Sequence, residues 1–288
     1  MKFTFFCLVM LLLTVPVLCL SGEMDTKNVV CSPVEKAMVL DGQVSDWNGI
    51  AATKVQVTPA VNGDAKNYTG IIDVEVRAAV HGDTIFVLAQ WPDDSQDITH
   101  KTLHWNKDKD IYEEGADLED RLALSFDMGG DFTACMLGGT EYKADVWHWK
   151  AFRSQSAGLA HDKMHILSYD QMPKAKKHPG RNGKEVWLLR PSDQGDKLYK
   201  SQRPLDNIGA SIPRYLVNSS PQGSVADVKA AAKWEKGNWT LELSRKMDTG
   251  NSDDVKFKRG QTYKASLAVF NHTGDDHHSS GGFVLDIR

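Results

Sequence analysis

The sequence predicts a mainly β protein, an antiparallel β-sandwich with long loop insertions and few short helices. Three observations carry this prediction. Apolar residues recur with a period of two in one segment after another, Gly, Asp and Asn turns separate those segments, and a helical period is scarce. Length and composition agree: 288 residues with 41% hydrophobic and 25% charged suffice for one large core.

The first element is not part of the fold. Met1-Lys2 is followed by the apolar run FTFFCLVMLLLTVPVLCL and then by polar SGEMDTKN. A lone early Lys, a short apolar core and a small-residue exit make residues 1–22 a secretory signal peptide, cleaved between Cys19 and Gly22. Cys19 also raises lipidation, but Leu18 stands where a small residue belongs. Export leaves Cys31 and Cys135, which could pair in an oxidising compartment; spacing alone does not decide it. Residues 23–288 then form a single domain with no further run of membrane-span length.

Along that domain, VLDGQVSDWNGIAATKV (39–55) opens with an Asp-Gly turn and a Trp47 expected to be buried. DVEVRAAVHGDTIFVLAQW (73–91) reads as a hairpin turning at His81-Gly82-Asp83. RLALSFDM (121–128), EVWLLR (185–190), WTLELSRKM (239–247) and TYKASLAVF (262–270) are strands by alternation or by β-branched and aromatic content. In ADVWHWKA, Trp147 and Trp149 share one face and His148 takes the other. SVADVKAAAKWE (224–235) is a short helix candidate. Residues 153–223, rich in charge, Pro and Gly, read as a long loop-rich insertion and as binding or docking surface.

The net charge of −4, with Lys and Arg dispersed, excludes a nucleic-acid face. No G-x-S-x-G, H-E-x-x-H or phosphate-cradling glycine loop is present, so hydrolase chemistry has no specific support. Without C-x-x-C-H a haem would not be covalently attached. His161 and His165 would share a face of a helix, but no spacing fixes a third metal ligand. The acidic run PDDSQD (92–97) suits a structural Ca²⁺ or a solvated loop equally. Four N-x-S/T sequons, at Asn67, Asn218, Asn238 and Asn271, matter only in a host that glycosylates exported proteins.

The densest segment is 134–162. Met136 precedes Gly138-Gly139 and the W-x-W strand, so an aromatic wall beside a thioether would suit a flat apolar cofactor. Core filling is the commoner role of such a Met. Near the other end, Asp275, Asp276, His277 and His278 stand just before a final strand.

VLDGQVSDWNGIAATKV, ADVWHWKAFR and LAVFNHTGDDHHSSGGFVLDI (267–287) together resemble the haem-binding subunit family of ethylbenzene dehydrogenase, which includes the gamma subunits of dimethylsulfide dehydrogenase, selenate reductase and nitrite oxidoreductase. The resemblance implies an exported, periplasmic β-sandwich holding one non-covalent haem b. It also implies electron transfer to or from an iron–sulfur (beta) subunit that serves a molybdenum catalytic (alpha) subunit, with a soluble c-type cytochrome as a further partner. The subunit itself would not be catalytic. By position in the motif, Met136 matches the family's axial Met. The family's axial Lys falls in DDHHSS, at His278, with Phe283 keeping the spacing; Lys there has become His. His277, Met128 and Lys264 are substitutes if the register is shifted, and Trp147, Trp149 and Phe283 would contact the cofactor. Met/His ligation makes six-coordinate iron, suited to electron transfer. The opening DGQVSDWNGIA also resembles family 9 carbohydrate-binding modules, in which exposed Trp91, Trp105 or Trp147 would stack on sugars.

Overall fold

The computed structural model describes residues 27–61, 63–273 and 279–288. The signal segment 1–22 and both candidate ligands His277 and His278 lie outside the described residues.

Twelve strands follow one another across a 13-stranded sheet. In chain order its members are β1 (Asn28–Pro33), β2 (Thr53–Pro59), β3 (Ile72–His81) and β4 (Thr84–Pro92), then β7 (Arg121–Gly130), β8 (Tyr142–Lys150), β9 (His161–Ser168), β10 (Lys176–Pro179) and β11 (Glu185–Leu189). β15 (Lys229–Glu235), β16 (Asn238–Lys246), β17 (Gln261–Phe270) and β18 (Ser279–Ile287) complete it. The spatial order is β10-β11-β9-β8-β7-β17-β18-β1-β3-β4-β16-β15, and β2 bridges β18 and β3. β5 (Leu103–Asn106), β6 (Ile111–Glu114) and β13 (Ser211–Ile212) make a small second sheet; β12 (Tyr199–Ser201) and β14 (Tyr215–Val217) make a third.

The long sheet forms both layers of a sandwich. One half, β9-β8-β7-β17-β18, turns Trp147, Trp149, Leu122, Leu124, Leu267 and Phe283 inward. The other half, β2-β3-β4-β16-β15, answers with Val55, Val76, Val87, Trp91, Trp239 and Leu241 in the same core. Four-residue stretches such as Leu122 to Ser125 alternate between that core and the outer face because successive strand side chains point to opposite sides. Trp91, Trp149 and Trp239 meet across the layers, with ring centroids 5.0 to 6.3 Å apart. Pairing is antiparallel except at β1, which lies parallel to both β18 and β3 and joins the two halves.

Most strands fall where alternation predicts them. The hairpin turns at Gly82, whose φ of +58° is the left-handed conformation a tight turn needs. Trp47 is buried, and its indole N–H donates to Glu242 Oε1 at 2.7 Å. The other Glu242 oxygen accepts from the backbone of Asp41 and Gly42, which pins the opening turn to β16.

One expectation is corrected. Residues 224–235 hold a short 3₁₀ turn, Ser224–Ala226, and then β15, not a helix. β15 pairs with β16 over its whole length, and tertiary pairing outweighs the helix propensity of its alanines. Residues 153–223 place β9 and β11 in the main sheet, joined by long irregular connections. Cys31 and Cys135 are both buried thiols, not a disulfide. Burial pushes the Cys31 thiol up to about 12, so it stays protonated. Among the described residues no helix is long and apolar enough to cross a membrane.

Candidate functional site

The outer face of β17, β7, β8 and β9 carries the site. Register sets Phe270 beside Arg121 and Lys150, and Ala268 beside Ala123, His148 and His161. Ser266, Ser125 and Lys163 follow one pair further along, and Ala144 pairs with His165. Small side chains thus make a shallow floor where a ligand can approach the sheet closely. The cavity above it has a volume of ≈ 290 Å³, near the lower end of the ~300–1,000 Å³ range of ligand sites.

Two segments wall the cavity. The connection from β7 to β8 brings Thr133, Ala134 and Met136 over the floor, and Met136 packs against an outer apolar cluster containing Phe132 and Tyr142. Arg153, Arg190 and Tyr199 close the opposite side. Arg121, Lys150, Arg153, Lys163 and Arg190 all line this cavity, and among the described residues no Asp or Glu does. The surface is therefore strongly electropositive and fits an anionic ligand.

Glu119, behind the wall, holds Arg153 by an ion pair and accepts from the backbone N–H groups of Phe152 and Arg153. Lys150 is buried, its Nζ 2.8 Å from His161 Nδ1, and His161 Nε2 lies 2.7 Å from Ser192 Oγ. Burial, then the charges of Lys163 and Arg153, hold the Lys150 ammonium well below the ordinary lysine range. Burial and Lys150 do the same to His161, which is neutral.

His148 is the group that matters most chemically. Its ring stacks on Phe270 with centroids 5.6 Å apart, and its Nε2 is out of solvent without a hydrogen-bond partner. Burial, reinforced by Lys150 and Arg121, lowers its pKa well below the usual imidazole value. A neutral imidazole with an unused nitrogen is a good ligand for a transition metal.

The structure brings together only part of the residue set expected from the sequence. Met136 stands at the cavity. Trp147, Trp149 and Phe283 do not; they are buried in the sandwich core on the other side of the sheet, because W-x-W alternation sends both indoles inward. Met128 packs against that same core, and Lys264 is exposed on β17 outside the cavity. His161 and His165 share a face through strand period, not through a helix, and His165 lines the cavity. Burial also removes Trp91 and Trp147 from any sugar-stacking role, and half-buried Trp105 packs on Tyr112 at 4.9 Å. The five cations and His148 were missed by sequence reasoning. Their one visible signal was the even-numbered His148 and Lys150 opposite the two indoles.

A family model described as ethylbenzene dehydrogenase matches residues 44–280. The chain belongs to that family. This member of the ethylbenzene dehydrogenase family matches no curated protein. Among solved structures it is similar to a carbohydrate-binding module of family 9 from Caldicellulosiruptor kristjanssonii in complex with glucose. Identity is 12%, coverage 91% of this chain and 97% of that chain, and the TM-score 0.40. It is also similar to a putative carbohydrate-binding protein from Bacteroides uniformis, at 12% identity, 92% and 100% coverage and a TM-score of 0.42. The family match runs from before β2 through β17 to the start of β18 and so includes β7, β8, β9 and β17, which form the cavity.

Proposed function

We propose that this protein is the electron-transfer subunit of a periplasmic molybdenum oxidoreductase. It would hold one non-covalent b-type haem in the cavity over β7, β8 and β17 and relay electrons to or from an iron–sulfur subunit. The observation that carries the reading is the combination in one cavity of a thioether, an unpartnered neutral imidazole and five cations over a small-residue floor.

The residues fit the group. Met136 offers a soft axial ligand, and Ala123, Ala144 and Ala268 leave room beside the sheet. Arg121, Lys150, Arg153, Lys163 and Arg190 would pair with the two carboxylates of the macrocycle. A macrocycle is larger than the cavity and would project beyond its rim; Phe270 lines that cavity, and His278 comes eight residues later in the sequence, outside the described residues. Ser280 pairs with the cavity residue Ala268 and keeps a buried hydroxyl without a partner. His278 would be the second residue to hold the iron, and His148 is the imidazole inside the cavity. Bound there, the haem would supply a one-electron ferric/ferrous couple. The chain's residues bind it, exclude water and set its electrostatic surroundings, since surrounding positive charge favours the more electron-rich state.

Absorption spectra of the oxidised and dithionite-reduced protein test this reading. A Soret band with sharp reduced α and β bands, lost or shifted in Met136→Ala and His278→Ala, supports it as stated. A response to His148→Ala in place of His278→Ala keeps the haem and moves the second ligand. A colourless protein produced with haem available overturns the proposal.

A further inference from the structure

On the inner face of the sandwich, away from the cavity, buried carboxylates outnumber the cation that serves them. Asp145 of β8, Asp162 of β9 and Asp254 of the β16–β17 connection each offer an oxygen within 4.8 Å of the other two, and all three are buried. Arg245 of β16 is the cation there. Its Nη1 donates to Asp145 Oδ2 at 2.5 Å and to Asp254 Oδ1 at 2.9 Å, and its Nη2 donates to the Val255 carbonyl at 2.7 Å. Val255 N–H also donates to Asp145 Oδ2, and the Thr249 hydroxyl donates to Asp254 Oδ2.

These bonds leave a set of acceptors unused. Asp145 Oδ1 and both oxygens of Asp162 are buried and accept no hydrogen bond; the nearest cationic atom to Asp162 is Arg245 Nη1, at 3.8 Å. Asp193, from the connection after β11, adds two more such oxygens facing Asp162, and the residue is only 6% exposed. Three carboxylates thus surround one guanidinium, a fourth faces Asp162, and five carboxylate oxygens have no donor. Buried ions without compensation cost several kcal/mol each, and buried polar atoms in native proteins are overwhelmingly satisfied.

We propose that Asp145, Asp162, Asp193 and Asp254 form a binding site for one divalent cation, calcium by chemistry, that ties β8 and β9 to the β16–β17 connection. The donor set is all oxygen and carries excess negative charge, which selects a hard cation over zinc or copper. Asp162 and Asp193 can each bind through both oxygens, and Asp145 through Oδ1 without giving up its bond to Arg245. The site is independent of the haem reading, because neither its residues nor its charge balance involve the outer face.

The test uses the full mature chain after treatment with EDTA. Calorimetric titration with CaCl₂ should show one saturable site and Ca²⁺ should raise the melting temperature. Tb³⁺ should bind with luminescence excited through the indole of Trp147, whose ring lies 5.0 Å from the Arg245 guanidinium, and Ca²⁺ should displace it. Asp162→Asn and Asp193→Asn should each weaken binding by on the order of tenfold or more, since ligand charge sets calcium affinity. Asp193, at the rim of the cluster, serves as the variant that folds if Asp162→Asn does not. No heat and no shift in melting temperature at millimolar Ca²⁺ would overturn the site and leave a shared proton as the compensating charge. Binding unchanged in both variants would overturn it equally. The visible spectrum reports haem separately, so the failure of either proposal is distinguishable from the failure of the other.

Discussion

The two faces of β8 show one strand doing opposite work. Inward, Trp147 and Trp149 are fully buried among aromatic and aliphatic side chains, so that face contributes packing. Outward, Ala144, His148 and Lys150 meet small residues and other cations, and the face is left partly open as a cavity. Only the inner face fills its space and excludes water. A strand can spend one side on stability and the other on a ligand because its side chains are independent at a period of two. Charges concentrated on the outer face are tolerable only where a ligand or a lowered pKa relieves them.

The largest expected contrast comes from truncating each face in turn. Trp149→Ala should cost about 3–5 kcal/mol in denaturant unfolding, the usual cost of emptying a large aromatic site, with Gln155 Oε1 also losing its donor. An effect below about 1 kcal/mol would mean that the inner face is not the stabilising one.

The polar edge of the inner face should respond to pH. Asp120 receives the Trp239 indole N–H at 3.1 Å and lies near Asp93, Asp97 and His272. Burial, then the charge of Asp93, pushes Asp120 up to about 7, and burial pushes Asp93 up to about 6. Raised carboxyl pKa values mean that the folded state binds more protons than the unfolded one between pH ~4 and ~7. The stability they add is complete below pH ~4 and is lost as pH rises through their folded values. Unfolding midpoints across that range should fall with rising pH, and Asp120→Asn should flatten the slope. A slope unchanged in Asp120→Asn would assign the titration elsewhere.

On the outer face the same kinds of change should barely alter stability. Lys150→Met removes a buried ammonium from among like charges and should change stability by no more than about 1 kcal/mol, or raise it. The same substitution should weaken retention of an anionic ligand, measured as haem content after gel filtration. A loss of several kcal/mol would show that Lys150 is structural and erase the contrast. The smallest effect is expected for His148→Phe, which replaces an imidazole nitrogen without a partner and should be neutral or stabilising by up to about 1 kcal/mol.

The legible parts of the fold were those with one apolar face. β3, β4, β7, β16 and β17 announce themselves by alternation because one side meets the core. β9 does not, since HDKMHILS is polar on both sides: His161, Lys163 and His165 face the cavity region, and Asp162 joins the buried carboxylates. β15 misleads for another reason, because alanines favour a helix locally and only pairing with β16 makes them a strand. At the site, Met136 was legible through resemblance to a family motif, whereas the assignment of Trp147 and Trp149 to the cofactor overlooked which face turns inward.

By itself the sequence determined the β class, the signal segment as an expectation, the hairpin at Gly82 and the opposition of the two indoles to His148. Those features depend on neighbours a few residues apart. Only the tertiary structure decided that Arg121, Lys150, Arg153, Lys163 and Arg190 converge with Met136 and His148, and that Asp145, Asp162 and Asp254 gather around Arg245 with Asp193 beside Asp162. Strand order and register set those encounters, and they arise from packing the whole sheet upon itself, which no local spacing encodes.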